Sequence, residues 1–277
     1  MALLDRIGID LDRKIRLEDG IELAARHGVR FIDIQLDTDD NTMERFDGAR
    51  AAAVRAACER HGIQLGLHTS SAVNVAEYAP HVAEAVDRYL AAYLDCYRLL
   101  GASWIVIHAG YHFTSDKAQR MRAGRERIER MVAAAEKAGA VLYLENLNKE
   151  PEAAEVHYLA HTVEEWRYYY DAIDSPSLRL SFTANHAHLV SEGVDGFIDA
   201  LDFRRVGEVR LADCFRNGHE VHLVPGQGDL DFARMFARIE AAGFSGHYTN
   251  AFGSLDDMLT AREPLVAIAR AAGIGVD

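Results

Sequence analysis

Proline and cysteine are scarce in this chain of 277 residues, and basic side chains are outnumbered. Five prolines and 21 glycines are too few for a low-complexity linker protein or a collagen. The three cysteines, Cys58, Cys96 and Cys214, lie far apart with no C-x-x-C spacing, which argues against a disulfide scaffold and a thiolate zinc site. No run of about 18 apolar residues occurs, so no membrane span is predicted. The opening Met-Ala-Leu-Leu-Asp-Arg meets charge at Asp5 before an apolar run can form. No signal peptide is read there, and a cytoplasmic protein is expected. Lys and Arg number 30 against 43 Asp and Glu, a formal net charge of −13. A balance that negative repels phosphate backbones and disfavours a general nucleic-acid binder.

What is present is an ordinary globular composition, 49% hydrophobic and 26% charged, with 13 histidines. Short apolar runs alternate with longer Ala-rich amphipathic stretches. Strands are predicted over residues 6–12, 29–36, 63–68, 104–108, 141–145, 178–183, 208–211 and 247–251. Helices are predicted over 17–27, up to His61 with Gly62 as a C-cap, over 77–100 ended by Gly101, over 117–138, and over 255–271. Eight strands in strict alternation with helices, and no linker, predict one α/β domain over residues 1–277, a (β/α)8 TIM barrel. A doubly wound sheet would want a glycine-rich phosphate loop after the first strand, and Asp10-Leu11-Asp12-Arg13-Lys14 has none.

In a barrel of this kind catalytic groups stand at the carboxyl ends of the strands. Those ends carry His68, His108, Glu145-Asn146, Asn185-His186-Ala187-His188, and Asp213 followed by His219-Glu220-Val221-His222. Five strands thus bring imidazoles and carboxylates to one mouth. His27, His61, His81, His157 and His161 fall on helices or connections and are read as surface residues. Imidazole and carboxylate ligands without thiolate suit Zn²⁺, Mn²⁺, Fe²⁺ or Co²⁺. Glu220 and His222, two apart on an extended segment, project from one side. Tyr111, Phe113 and Trp166 are aromatics near the rim that could stack on a sugar face.

The pieces LGLHTSSAVNVA, IHAGYH, LYLENLN, FTANHAHL and HEVHLVPGQGDLDF together resemble the xylose isomerase-like TIM barrel superfamily over nearly the whole chain. That superfamily joins sugar isomerases and epimerases to endonuclease IV-type AP endonucleases. The last piece, with Gly226, Gly228, Asp229 and Asp231, is the most specific and is common in the isomerase-like branch. The resemblance implies a first metal at His68, His108 and Glu145. It implies another at His186, Glu220 and His222, with Glu in place of the usual Asp. Between them the family holds a central metal with a strand-five glutamate, a strand-six aspartate, a strand-seven histidine and a strand-eight glutamate. After Glu145 those positions read Thr183, Arg210 and Asn250 or Ala251, so this site is expected to be lost. Only one of the two glutamates that move protons in the family's isomerases remains. A fixed guanidinium at Arg210 opposes a metal there. Arg210 is expected to pair with Glu145, to bind a substrate carboxylate or phosphate, or to form a buried ion pair with Asp33 or another barrel acid.

The resemblance and the acidic charge imply an enzyme: a sugar or sugar-acid isomerase, epimerase or lyase that takes a proton from beside a carbonyl. Its expected partner is a small carbohydrate, and a homo-oligomer is compatible with the family. Glu145, His186 and His222 are the expected proton-handling groups. Arg210, His188, Tyr111, Asn146 and Asp213 are the expected substrate contacts. A metal-dependent phosphoesterase of the AP-endonuclease type is the alternative, opposed by the charge. The densest basic run, Lys117 to Arg130, alternates with Glu and reads as a solvated helix face rather than a DNA-facing rim. A third reading is a non-catalytic barrel that kept metal or ligand binding. The protein is expected to show no DNA affinity at physiological salt. A submicromolar complex with abasic DNA in a mobility-shift titration would contradict this.

Overall fold

A computed structural model of the chain describes residues 1–12, 15–37 and 39–276. Arg13 and Lys14 of the first strand–helix loop, Thr38, and the terminal Asp277 fall outside the described residues. The barrel strands are β1 (Ile7–Asp12), β2 (Phe31–Gln35), β3 (Gln64–His68), β4 (Trp104–Ile107), β5 (Leu142–Glu145), β6 (Leu178–Thr183), β7 (Val206–Leu211) and β8 (His247–Asn250). Each pairs in parallel with the next, and β8 closes onto β1, with Ile9 beside Asn250. The eight expected strands are thus present, in a closed (β/α)8 barrel. No helix among the described residues is long and apolar enough to cross a membrane.

Helix ends follow their capping chemistry. Gly62 and Gly101 stop their helices at φ 64° and 66°, the left-handed conformation that glycine adopts without a Cβ clash. The helix expected from residue 77 begins at Pro80, since Pro lacks the N–H that an interior position must donate. The Glu77 carboxylate instead accepts from the backbone N–H of Tyr78 and Ala79. The helix expected over 255–271 is two, Leu255–Thr260 and Arg262–Ala271, the first opened by a Ser254/Asp257 capping box.

Side chains alternate across each strand, and this rule sorts the residues into two populations. Outward-facing Ile7, Ile9, Ile32, Ile34, Leu65, Leu67, Ile105, Ile107, Leu142, Leu144, Val209 and Leu211 join the helices in one continuous core. Inward-facing Phe31, Trp104, Val106 and Tyr143 form a separate cluster, the barrel's floor. His247 stacks on Phe31 with ring centroids 4.5 Å apart. The floor fits because nearby strands supply glycine. A Cβ at Gly66 would lie 2.1 Å from the Trp104 ring, and one at Gly207 would lie 2.2 Å from the Tyr143 ring.

The basic run on the Lys117–Ala138 helix differs from its expected solvated face. Arg120 and Arg127 are buried. Arg127 donates to the carbonyls of Val75 and Glu77 and to Asp87, while Arg120 bridges Asp116 and Glu77. Both tie the loop after β3 to this helix, because that loop has few other partners for its buried carbonyls. Substituting Gly207→Ala is expected to destabilise the fold by about 1–3 kcal/mol through overpacking against Tyr143. Denaturant unfolding checks it: Gly207→Ala/Tyr143→Leu should recover part of the loss, and no recovery would place the strain elsewhere.

Candidate functional site

The inward positions above the floor carry no hydrocarbon. Asp33, Ser181 and Glu208 are fully buried, and Arg210 is 4% exposed. The strand ends then open into a cavity of about 420 Å³ at the barrel mouth. His68 ends β3, His108 follows β4 by one residue, and Glu145 ends β5. His68 Nε2 lies 3.1 Å from His108 Nε2, and the two lie 3.3 and 3.0 Å from one oxygen of Glu145, Oε2.

The far sides of these rings face other polar groups. Thr69 donates its hydroxyl to the Val106 carbonyl and therefore accepts from His108 Nδ1–H at 3.3 Å. His68 Nδ1 faces Asp33 Oδ2 at 3.5 Å. With both Nδ1 protons turned outward, two imidazole lone pairs and a carboxylate oxygen meet head to head. Three acceptors in contact repel unless a cation or a proton lies among them. A proton meets the need in part. Burial and the Arg210 charge oppose ionisation of His68, but its contacts with Asp33 and Glu145 outweigh them and push its pKa up to about 10. Burial lowers that of His108. Burial also works against the Glu145 carboxylate, yet the two histidines hold it well below the usual range.

A second group repeats the arrangement. His186 sits on the short helix Ala184–His188 directly after β6, and Glu220 and His222 sit on the loop after β7. His186 Nδ1 donates to the Asn146 carbonyl at 2.8 Å, and His222 Nδ1 donates to the Ala251 carbonyl at 2.5 Å. Both Nε2 atoms face Glu220 Oε1, at 3.7 and 2.5 Å. Hydrogen bonds with His186 and His222 hold Glu220 below the carboxylate range. Val221, between the two ligand types, points to solvent, as expected for an extended segment. The two triads, His68–His108–Glu145 and His186–Glu220–His222, each bring ligand atoms within 4.8 Å of one another. They approach where His186 Nδ1 lies 3.8 Å from Glu145 Oε1.

Arg210 rises from β7 into the space between β1, β2 and β5. Its Nη2 lies 2.5 Å from Asp10 Oδ2, and its Nη1 contacts Asp33 Oδ2 and lies 3.3 Å from Glu208 Oε1. Its Nε is 4.0 Å from Glu145 Oε1. The ion pair with Asp33 is the bond expected of a buried guanidinium; Glu145 is the more distant neighbour. Thr183 donates its hydroxyl to Glu145 Oε1 at 2.5 Å, and the buried Asn250 amide donates to the Met258 carbonyl.

Of the expected substrate contacts, Arg210 lines the cavity and four do not. Asn146 is fully buried; its amide clasps the backbone N–H and carbonyl of Thr183, which fixes β5 to β6. Asp213 accepts backbone N–H bonds from Cys214, Gly226, Gly228 and Leu230 and so shapes the PGQGDL turn. His188 Nε2 pairs with Asp229 at 2.8 Å and lines a separate cleft with Arg216. Tyr111 packs edge-on against Tyr158, and Tyr158 is the ring that reaches the cavity. Trp166, expected near the rim, is buried against Phe182 and Phe197. Phe113 and His219 are exposed on the surface.

Asp10, Gln35 and Glu150 line the cavity without having been expected there. Asp10 and Gln35 stand at inward positions near strand ends, so strict alternation from Gly8 and Asp33 would have found them. Glu150 and Tyr158 lie on the long connection after β5, where no period applies. Asn148 orients Glu150 by donating to it at 2.7 Å.

A family model described as xylose isomerase-like TIM barrel matches residues 21–262. No curated protein sequence matches the chain. Solved structures do match. A D-tagatose 3-epimerase-like protein superposes with a TM-score of 0.84 at 18% identity, over 97% of this chain and 98% of that one. D-psicose 3-epimerase from Clostridium cellulolyticum H10, crystallised with D-tagatose, gives 0.78 at 16% identity, over 96% and 99%. A 3-keto-D-glucoside 4-epimerase from E. coli gives 0.72 at 15% identity, over 96% and 99%. These neighbours are sugar epimerases, and at such identities the likeness is one of fold. With 21–262 matched and the barrel closed, the chain belongs to the xylose isomerase-like TIM barrel family.

Proposed function

We propose that this protein is a sugar or sugar-acid isomerase or epimerase that works by metal-assisted proton transfer at the barrel mouth, with the family's central metal site lost. The observation that carries this reading is the convergence of four imidazole Nε2 atoms on two carboxylates within one cavity. The donor chemistry fits a divalent cation, because His108, His186 and His222 have Nδ1 hydrogen-bonded away from the triads, His68 turns its Nδ1 toward Asp33 at 3.5 Å, and all four direct Nε2 at a carboxylate. His68, His108 and Glu145 would hold one ion and His186, Glu220 and His222 another, with Zn²⁺, Mn²⁺, Fe²⁺ or Co²⁺ suited to the set. Bound there, such an ion supplies Lewis-acid polarisation of a sugar oxygen.

The chain's own groups supply the proton handling. Glu145 is the base for a proton on the carbon beside the sugar carbonyl. The Thr183 hydroxyl on Oε1 fixes the orientation of that carboxylate. His186 or His222 is the second proton carrier. The His222 side chain is 39% exposed, which gives it exchange with solvent, whereas that of His186 is 7% exposed. Loss of the central site follows from charge. The Arg210 guanidinium among Asp10, Asp33, Glu208 and Glu145 already supplies a cation there. The acidic chain and the structural neighbours favour a small carbohydrate over a phosphodiester.

Metal-reconstituted protein is expected to retain at least one divalent ion per chain by elemental analysis, and His68→Ala/His108→Ala to reduce the count. Anomalous scattering should place ions at the two triads. A peak touching both Glu145 and Thr183 would restore the central site, and a metal-free protein would remove the reading's cofactor. In D₂O with D-tagatose or D-fructose, deuterium should enter the carbon beside the carbonyl, and Glu145→Gln should slow this by about a hundredfold or more. Equal rates in the variant would exclude Glu145 as the base.

A further inference from the structure

Besides the imidazoles, two aromatic rings line the mouth cavity among the described residues, Phe252 and Tyr158. Phe252 is 2% exposed, whereas Tyr158 is half-buried. The Tyr158 hydroxyl is neither enclosed nor hydrogen-bonded among the described residues. A phenol offers an apolar body and a polar tip that both donates and accepts, which suits a polyhydroxy ligand.

The backbone that carries this ring is strained. Tyr158 ends the two-residue strand His157–Tyr158, which pairs antiparallel with Tyr111–His112. Two residues on, Ala160 has φ 62°, the only non-glycine residue at positive φ among the described residues. Such a conformation persists only where its surroundings over-determine it, and it concentrates at ligand-binding and catalytic sites. Here the surroundings are a buried latch. His161 Nδ1 lies 2.8 Å from the Tyr158 carbonyl, which can only accept, so Nδ1 carries the proton and donates to it. Glu165 Oε2 stands 3.0 Å from the same Nδ1 and accepts from the His161 backbone N–H at 3.4 Å. The other Glu165 oxygen pairs with Lys117. Burial works against the Glu165 carboxylate, yet His161 and Lys117 bring its pKa down to about 2, so the latch is ionised at neutral pH. On the opposite side Leu159 N–H donates to the Gly110 carbonyl, and the Asn74 amide clasps both backbone groups of Tyr111. The ribbon is tied from both sides, with the Tyr158 ring left at the cavity.

We propose that Tyr158 is a specificity-determining residue whose phenol hydrogen-bonds a sugar hydroxyl away from the reacting carbons, and that the Ala160 turn, latched by His161 and Glu165, positions it. This rests on the sugar-active reading above and deepens it by assigning a recognition group. The contact is made equally in the ground state and the transition state, so its loss shows in KM rather than in kcat. His161 and Glu165 act through Tyr158 and are positioning residues.

The test uses the metal-loaded full chain, deuterium incorporation, and the faster of D-tagatose and D-fructose with its 1-, 4-, 5- and 6-deoxy analogues. For at least one analogue the wild type should show kcat/KM about tenfold or more below that of the parent sugar, and Tyr158→Phe should close that gap to about threefold or less. Tyr158→Phe should raise KM for the parent sugar about 3–10-fold, with kcat changed less than about twofold. Glu165→Gln should raise KM as well, but by less than about twofold in the Tyr158→Phe background, where a general structural role would keep its full effect. Should Glu165→Gln fail to fold, His161→Phe decides that arm. A gap that survives in Tyr158→Phe, or a loss in kcat with KM unchanged, would overturn the contact. Additive effects of Glu165→Gln and Tyr158→Phe would overturn the positioning. Each of these leaves the sugar-active reading intact, whereas turnover of neither parent sugar by the wild type would bring down that reading and this proposal together.

Discussion

The Arg210 guanidinium, buried among Asp10, Asp33, Glu208 and Glu145, is the interaction on which the rest of the barrel interior depends. Isolated charges are costly to bury, and a cluster of acids is costlier still. Asp33 and Glu208 are fully enclosed on β2 and β7, with the aromatic floor below them and the cavity above. Burial pushes the Asp33 carboxyl up to about 7, with Arg210 opposing the rise. Without that cation, several carboxylates would face one another in a medium with few counter-charges. The fold therefore requires a cation at its axis, and the sequence supplies one covalently.

The same Asp33 oxygen that contacts Arg210 also faces His68 Nδ1. The axial ion pair is thereby connected to the first triad through a single atom. His108, by contrast, is held through Thr69, and His186 and His222 are held by the main-chain carbonyls of Asn146 and Ala251. Three of the four rings thus take their orientation from groups independent of the acid cage. A change at Arg210 is transmitted most directly to His68. The second triad is insulated from it except through Glu145, whose two oxygens divide between Thr183 on one side and the histidine pair on the other.

The strands were legible because short β-branched runs bounded by capped helices have few alternative structures, and the strand-end rule then collected His68, His108, Glu145 and His186 at one rim. Legibility failed where a polar side chain turns back on the backbone. Asn146 and Asp213 stand at the mouth in sequence, but unpaired N–H and C=O groups of Thr183 and of the PGQGDL turn capture them. Nothing in a linear pattern distinguishes such a residue from one that faces substrate. His188 fails differently: two residues beyond His186 on a helix, it projects about 200° round the axis and meets Asp229 on the far side. Trp166 was lost to the core because a short helix after a long irregular connection has no fixed phase.

Alternation along the strands also divides stability from chemistry by height within the barrel. Gly66 and Gly207 make room for Trp104 and Tyr143 at the floor, where tight packing excludes water. Two residues beyond Gly66 stands His68, and three beyond Gly207, past a register shift in the β6 pairing, stands Arg210, where packing gives way to charge. The junction is imperfectly satisfied: Asp33 Oδ1 and His247 Nε2 have no hydrogen-bond partner among the described residues. Such atoms cost stability that a hydrocarbon interior would not lose. A barrel selected for packing alone would continue the floor upward with Val, Ile and Leu. Keeping four acids and an arginine there is consistent with selection for the mouth's electrostatics, with the aromatic floor and the continuous outer core providing the stability that the charged layer lacks.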